Sequence, residues 1–172
     1  SFTRGIHRTM KKLFALAAVL ALALLVSASA FAGTYTLPKA GIDFTLPDSW
    51  QPSDSKLGTM FVSPGSDMVI FFGETNSEAG LDGAMELLEQ VVSEVLTDIE
   101  LGEDTEHDIN GIQVFALEGT GKSDGANAFV SISILNAEGD SLGIMVSFGD
   151  EGADQKNAAD LQAHVGSLKI AQ

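Results

Sequence analysis

Residues 118–125 read EGTGKSDG, and Gly121-Lys122-Ser123 is the tail of a phosphate-cradling loop. Such a loop needs Gly-x-x-x-x-Gly-Lys-Ser/Thr between a strand and a helix, so that amide N–H groups and a helix N-terminus converge on phosphate oxygens. Here the first glycine position is Ala116, inside a strand-like pattern, and Asp124-Gly125 leads into ANAFVSISIL, another strand. The stretch is therefore expected as a hairpin tip closed by Asp124-Gly125, and no nucleotide is expected.

Acid–base and nucleophilic chemistry would rest on histidines, serines and carboxylates. Beyond residue 32 the chain has two histidines, His107 and His164. No Gly-x-Ser-x-Gly elbow occurs, and the serines of SPGSDM (63–68) fall at a hairpin turn. His164 stands beside Val165 near the border of a helical apolar stripe and reads as an ordinary half-exposed histidine. A hydrolase would need a cleft bringing Ser or Asp to His107 or His164, and nothing in the spacing supplies one. No enzyme is expected. The densest ligand set is EDTEHD (103–108), where Asp104, Glu106, His107 and Asp108 are the metal candidates. In an extended chain Asp104, Glu106 and Asp108 point one way, an edge for calcium or zinc. Without EF-hand spacing and with one histidine, the segment reads instead as a solvated loop between helix and strand. Trp50, after Pro47-Asp48-Ser49, is expected to close one end of the core.

The elements that position these residues follow from composition and period. Residues 10–32, MKKLFALAAVLALALLVSASAFA, combine two lysines, an apolar run from Leu13 to Val26 and a small-residue ending. That is the order of a secretory signal peptide, cut after Ala32 or Ala30; its fourteen apolar residues fall short of the ~20 that span a bilayer. Residues 1–9 read as an upstream extension or an expression remnant, and 33–172 as one domain. No cysteine is present, which removes disulfides, thiolate metal sites and a lipid-anchor cysteine. Of nine basic residues four precede residue 33, so five lysines and no arginine face 24 carboxylates beyond it, a formal charge of −19. Such a surface repels phosphate backbones, so no nucleic acid is expected, nor stable membrane insertion after cleavage.

Short strands are predicted on either side of Pro38–Gly41, followed by a hairpin over 59–76 turning at Pro64–Asp67. Over 81–100 the period changes: Leu81, Met85, Leu88, Val92, Val95 and Ile99 form one helical stripe, with Asp82 or Ser77 as caps. Strands return at 111–119, 126–136 and 141–149, and a last helix at 154–170 carries Leu161, Val165 and Leu168. The pattern ββββ-α-βββ-α with tight turns implies an α+β fold. An antiparallel sheet of about six to seven strands is flanked by two main helices and preceded by the signal peptide.

AGIDFTLPDSW (40–50) resembles the glycine–aromatic–Pro–x–x–Trp opening of PsbP-like domains, and NGIQVFALEGTG (110–121) and VGSLKI (165–170) are similar to their second half. The resemblance spans nearly all of 34–170 and includes DcrB-like envelope proteins and a Ran-binding nuclear-import factor. It implies a PsbP-like sandwich and a non-enzymatic binding or accessory role, in the periplasm or outside the cell. Its partner would be a protein, a peptide or a surface component of the envelope. It carries over no catalytic residue and no cofactor. DcrB-like proteins often bear an anchoring cysteine that this chain lacks. The alternative is a divalent-cation (calcium) domain resting on the charge and the 103–108 cluster; a hydrolase comes last.

Overall fold

Two tight turns set the hairpins of the second half. Asn110-Gly111 (φ 54° and 86°) and Asp124-Gly125 (φ 51° and 82°) both occupy the left-handed region, the geometry of a two-residue turn whose twist matches the strands it joins. The computed structural model describes residues 31–76, 78–139 and 141–172, nearly all within the compact unit Ala32–Gln172. The signal-peptide reading of 10–32 lies outside them, apart from its last two residues.

Strands β1 (Phe31–Leu37), β2 (Ile42–Pro47), β3 (Gln51–Asp54), β4 (Thr59–Val62) and β5 (Met68–Glu74) precede helix α1 (Gly80–Val95). Then come β6 (Thr97–Ile109), β7 (Ile112–Ser123), β8 (Ala126–Asn136) and β9 (Gly143–Asp150). The short α2 (Ala153–Lys156), α3 (Ala158–Ser167) and β10 (Lys169–Ile170) end the chain. Seven strands form one antiparallel sheet in the order β3-β4-β5-β9-β8-β7-β6, and β1-β2-β10 form a second. The large sheet is thus two meanders joined where β9 returns to β5, with α1 carrying the chain to the far edge. This is the expected α+β architecture with two main helices, α1 and α3.

Each face of the large sheet has its own core. On one, Phe71, Ile144, Val146, Val130 and Ile132 meet Ala84, Leu88, Val91 and Val92 of α1. On the other, Ile70, Phe72, Met145 and Val114 meet Ile42, Phe44 and Leu46 of the small sheet and Leu168 at the end of α3. Strand β5 is buried on both faces, which explains its unbroken apolar run. Phe44 and Phe72 stack with centroids 4.0 Å apart, and Phe61 meets both edge-on. Trp50 is buried as anticipated, its Nε1–H donating to Asp160 at 3.0 Å.

Several expectations are corrected. The segment 103–108 is not a loop: it lies inside the thirteen-residue strand β6, whose backbone groups pair with β7. The helix stops at Val95, and Ile99 belongs to β6, because past Leu96 the chain enters that ladder. Asp82 makes no capping bond; Ala79 is the N-cap residue. Ser77 lies outside the described residues. The last helix is interrupted at Asn157, and its final residues form β10, pairing Ile170 with Ile42. Asn110 fastens this end by donating from Nδ2 to the Leu168 carbonyl at 2.7 Å.

Candidate functional site

A helix is about 10 Å wide and strands lie about 4.8 Å apart, so one helix roofs roughly two strands. Helix α1 covers β9 and β8, and its side of β7 and β6 is left open. There the stripe read from the sequence departs from the buried set. Leu88 and Val92 are buried, but Met85 and Leu81, one and two turns before Leu88, are 52% and 60% exposed. Across from Met85 on the sheet, Phe115 and Leu101 are 40% and 44% exposed. Together Met85, Leu88, Leu101, Phe115 and Ile132 bound an open apolar groove of about 370 Å³. Contiguous exposed apolar surface of this kind marks an interaction site.

The groove depends on two irregularities of β6. The register slips between Thr97 and Glu100 and again between Leu101 and Asp104. Each slip adds a residue to β6, so Leu101 and Asp104 share a face that simple alternation would have split between them. Gly119, opposite Leu101 between the two slips, permits this close approach of β6, since a Cβ there would lie 2.1 Å from the Glu100 carbonyl oxygen. Past the second slip Asp104 pairs with Leu117, Glu106 with Phe115 and Asp108 with Gln113. Cross-strand partners share a face, so these three carboxylates do point one way, towards the side of α1. Asp104 and Glu89 border the groove.

The metal candidates are therefore aligned but not gathered. His107 pairs with Val114 on the opposite face, and Asp108 accepts from the Gly111 N–H at 3.1 Å, a turn-closing bond. Among the described residues no three His, Asp or Glu side chains converge as a metal would require. The Gly121-Lys122-Ser123 tail lies at the end of β7 in the β7–β8 hairpin, and Lys122 pairs with Asp98 at 3.7 Å.

His164 corrects the half-exposed reading: it is 1% exposed. Its Nδ1 lies 3.0 Å from the Thr45 carbonyl oxygen, and Nε2 lies 3.3 Å from Met145 Sδ. A carbonyl only accepts, so the neutral ring carries its proton on Nδ1 and turns Nε2 toward a weakly accepting sulfur. Burial pushes its pKa down to about 4, against the Thr45 bond, which favours the proton. Neither ring nitrogen meets a hydroxyl or a carboxylate, so the relay of a hydrolase is not assembled at His164. Asp67 is a further polar centre, partly exposed, that the sequence reading missed. Its carboxylate accepts from Lys156 Nζ, from Ser63 Oγ at 2.7 Å and from Asn157 Nδ2 at 3.2 Å. The Lys156 bond, then Ser63, holds it well below the usual carboxylate range. This network ties the β4–β5 turn to α2 and serves structure.

No family model matches the chain, and no curated protein matches it. Solved structures do. The cyanobacterial PsbP (CyanoP) of Synechocystis sp. PCC 6803 superposes with a TM-score of 0.54 at 16% identity, over 84% of this chain and 95% of that one. LpqN, described as involved in cell envelope biogenesis of Mycobacterium tuberculosis, gives 0.55 at 13% identity, over 81% and 90%. A protein of Bacteroides thetaiotaomicron VPI-5482 gives 0.52 at 13% identity, over 81% of this chain and 48% of that one. At such identities the likeness speaks for architecture alone. With the seven-stranded sheet and its two helical layers, it establishes that this chain has the PsbP-like fold.

Proposed function

We propose that the chain is an exported, non-enzymatic binding or accessory protein of the bacterial cell envelope or the extracellular space. Its working surface is the groove between α1 and the β6–β7 ladder, which takes apolar side chains of a protein partner. The observation that carries this reading is the exposure of Met85, Leu101 and Phe115 around one open cavity. Four large side chains that could have been buried stay in water next to a well-packed core, Leu81 among them. Export is supported by the order of charged, apolar and small residues over 10–32. An accessory role is supported by the lack of any gathered reactive set at His164 or along 103–108.

A photo-crosslinking residue in place of Phe115, in protein expressed in its own host, tests the reading. Discrete adducts are expected from position 115 and not from the exposed Glu138 in the β8–β9 connection, and Leu101→Glu should suppress them. Equal labelling from both positions, or none from 115, would overturn it.

A further inference from the structure

Strand β6 ends the large sheet: β7 takes one of its edges and, among the described residues, nothing takes the other. For thirteen residues it offers an edge of N–H and C=O groups to solvent. Its composition decides what can settle there. Asp98, Glu100, Glu103, Asp104, Glu106 and Asp108 lie along it with no lysine or arginine. A second copy pairing edge to edge would set this row against itself, and like charges directly opposite destabilise a ladder. The row therefore rejects self-pairing and favours a strand of opposite charge. On the side of α1 the same edge runs from Leu101, in the apolar groove, to Asp104, Glu106 and Asp108.

We propose that β6 is an acceptor edge. An extended, lysine- or arginine-bearing segment of the partner protein adds to it as an eighth strand. Its cationic side chains lie beside Asp104, Glu106 and Asp108, and an apolar one enters the groove between Leu101 and Phe115. Backbone bonds supply affinity, and the side chains of the added strand that face α1, cationic ones and an apolar one, supply selectivity, as in other strand-addition complexes. This rests on the groove being the binding surface. It adds that the occupant is a strand, and a basic one.

The probe is a peptide of about eight residues, within the usual strand length, whose alternate positions on one face carry three lysines and a terminal valine, with threonine between them. Its controls are a glutamate-for-lysine peptide and one N-methylated at every second residue to remove one edge's donors. At low salt the plain peptide should slow amide hydrogen exchange along β6 at least about tenfold, a coupling near 1.4 kcal/mol. The methylated and glutamate peptides should not, and Asp104→Lys with Glu106→Lys should abolish the protection without lowering the melting midpoint. If the methylated peptide binds as well as the plain one and still perturbs Leu101 and Phe115, strand addition is overturned and the groove reading stands. If neither peptide protects β6, strand addition is likewise overturned, and cross-linking from position 115 decides the groove separately.

Discussion

His164 shows what one enclosed polar ring does to the whole chain. It sits edge-on to Phe44 and Phe72, with centroids at 5.4 and 5.3 Å, and its Nδ1–H satisfies the Thr45 carbonyl. A second proton would have to go to Nε2, which faces Met145 Sδ, a weak acceptor, inside the core. The folded-state pKa is therefore depressed, to about 4 from an ordinary 6.5. Between those values the unfolded chain binds the proton and the folded one does not. Stability is thus complete above about pH 6.5 and falls as pH drops through this window, by about 3 kcal/mol at pH 4. Asp67 is lowered as well, but its contribution is lost only below the ordinary carboxylate range, so the two effects separate along the pH axis. His164→Asn keeps a donor for Thr45 and cannot titrate. Urea unfolding from pH 7.5 to 5 should show a falling midpoint for the natural chain and a much flatter one for the variant, whatever its loss at pH 7.5. A wild-type midpoint that holds steady over that range would contradict the buried neutral ring.

At the scale of elements, α1 carries two populations of apolar side chain on one stripe. Leu88 lies against Phe71 and the β8–β9 strands in the core on that side of the sheet, and Leu88→Ala should cost ~2–4 kcal/mol through lost contacts and a cavity. Met85, one turn away, is half in water, and Met85→Ser should cost no more than ~0.5 kcal/mol. Chemical denaturation of both variants checks the pair, and equal losses would mean that the groove is closed in solution. The same contrast explains how far the chain could be read. The Pro64–Asp67 and Asp124-Gly125 turns, the alternation through Leu142, Ile144, Val146 and Phe148, and the period of 81–95 are local signals, and the structure keeps them. Strand β6 escaped because Asp and Glu are poor strand formers, and its strand state is imposed by the ladder to β7, not by any buried face of its own. Strand β3 is exposed throughout and β10 has two residues, so neither shows a hydrophobic period. Leu81 and Met85 were legible as a stripe; that the sheet beyond β8 would leave them uncovered is a matter of strand order, which no local pattern encodes.

For the molecule as a whole, the question is whether its carboxylates act as a site or as a field. Beyond residue 32 the formal charge is −19, from 24 acids and five lysines. Along β6 the acids on one face follow at alternate residues, roughly 6.6 Å apart at their backbones, whereas calcium draws its oxygens within about 2.6 Å of one point. Among the described residues no cluster of three ligating side chains forms. The charge should therefore behave as diffuse self-repulsion relieved by any counterion. Raising NaCl from about 0.01 to about 0.5 M shortens the screening length from about 30 Å to under 5 Å. That should raise the melting midpoint by a few degrees, about 1 kcal/mol for a domain of this size. Calcium at about 10 mM, compared at matched ionic strength, should add nothing further. A true site of ~1 mM affinity would contribute a further ~1.4 kcal/mol by binding only the folded chain. Such an excess, if Asp104→Asn with Glu106→Gln removed it, would turn the acidic edge of β6 into a calcium site and defeat the diffuse-field reading. If instead sodium and calcium act alike, the charge is a field that keeps copies of this chain apart and draws basic segments toward the acidic edge of β6.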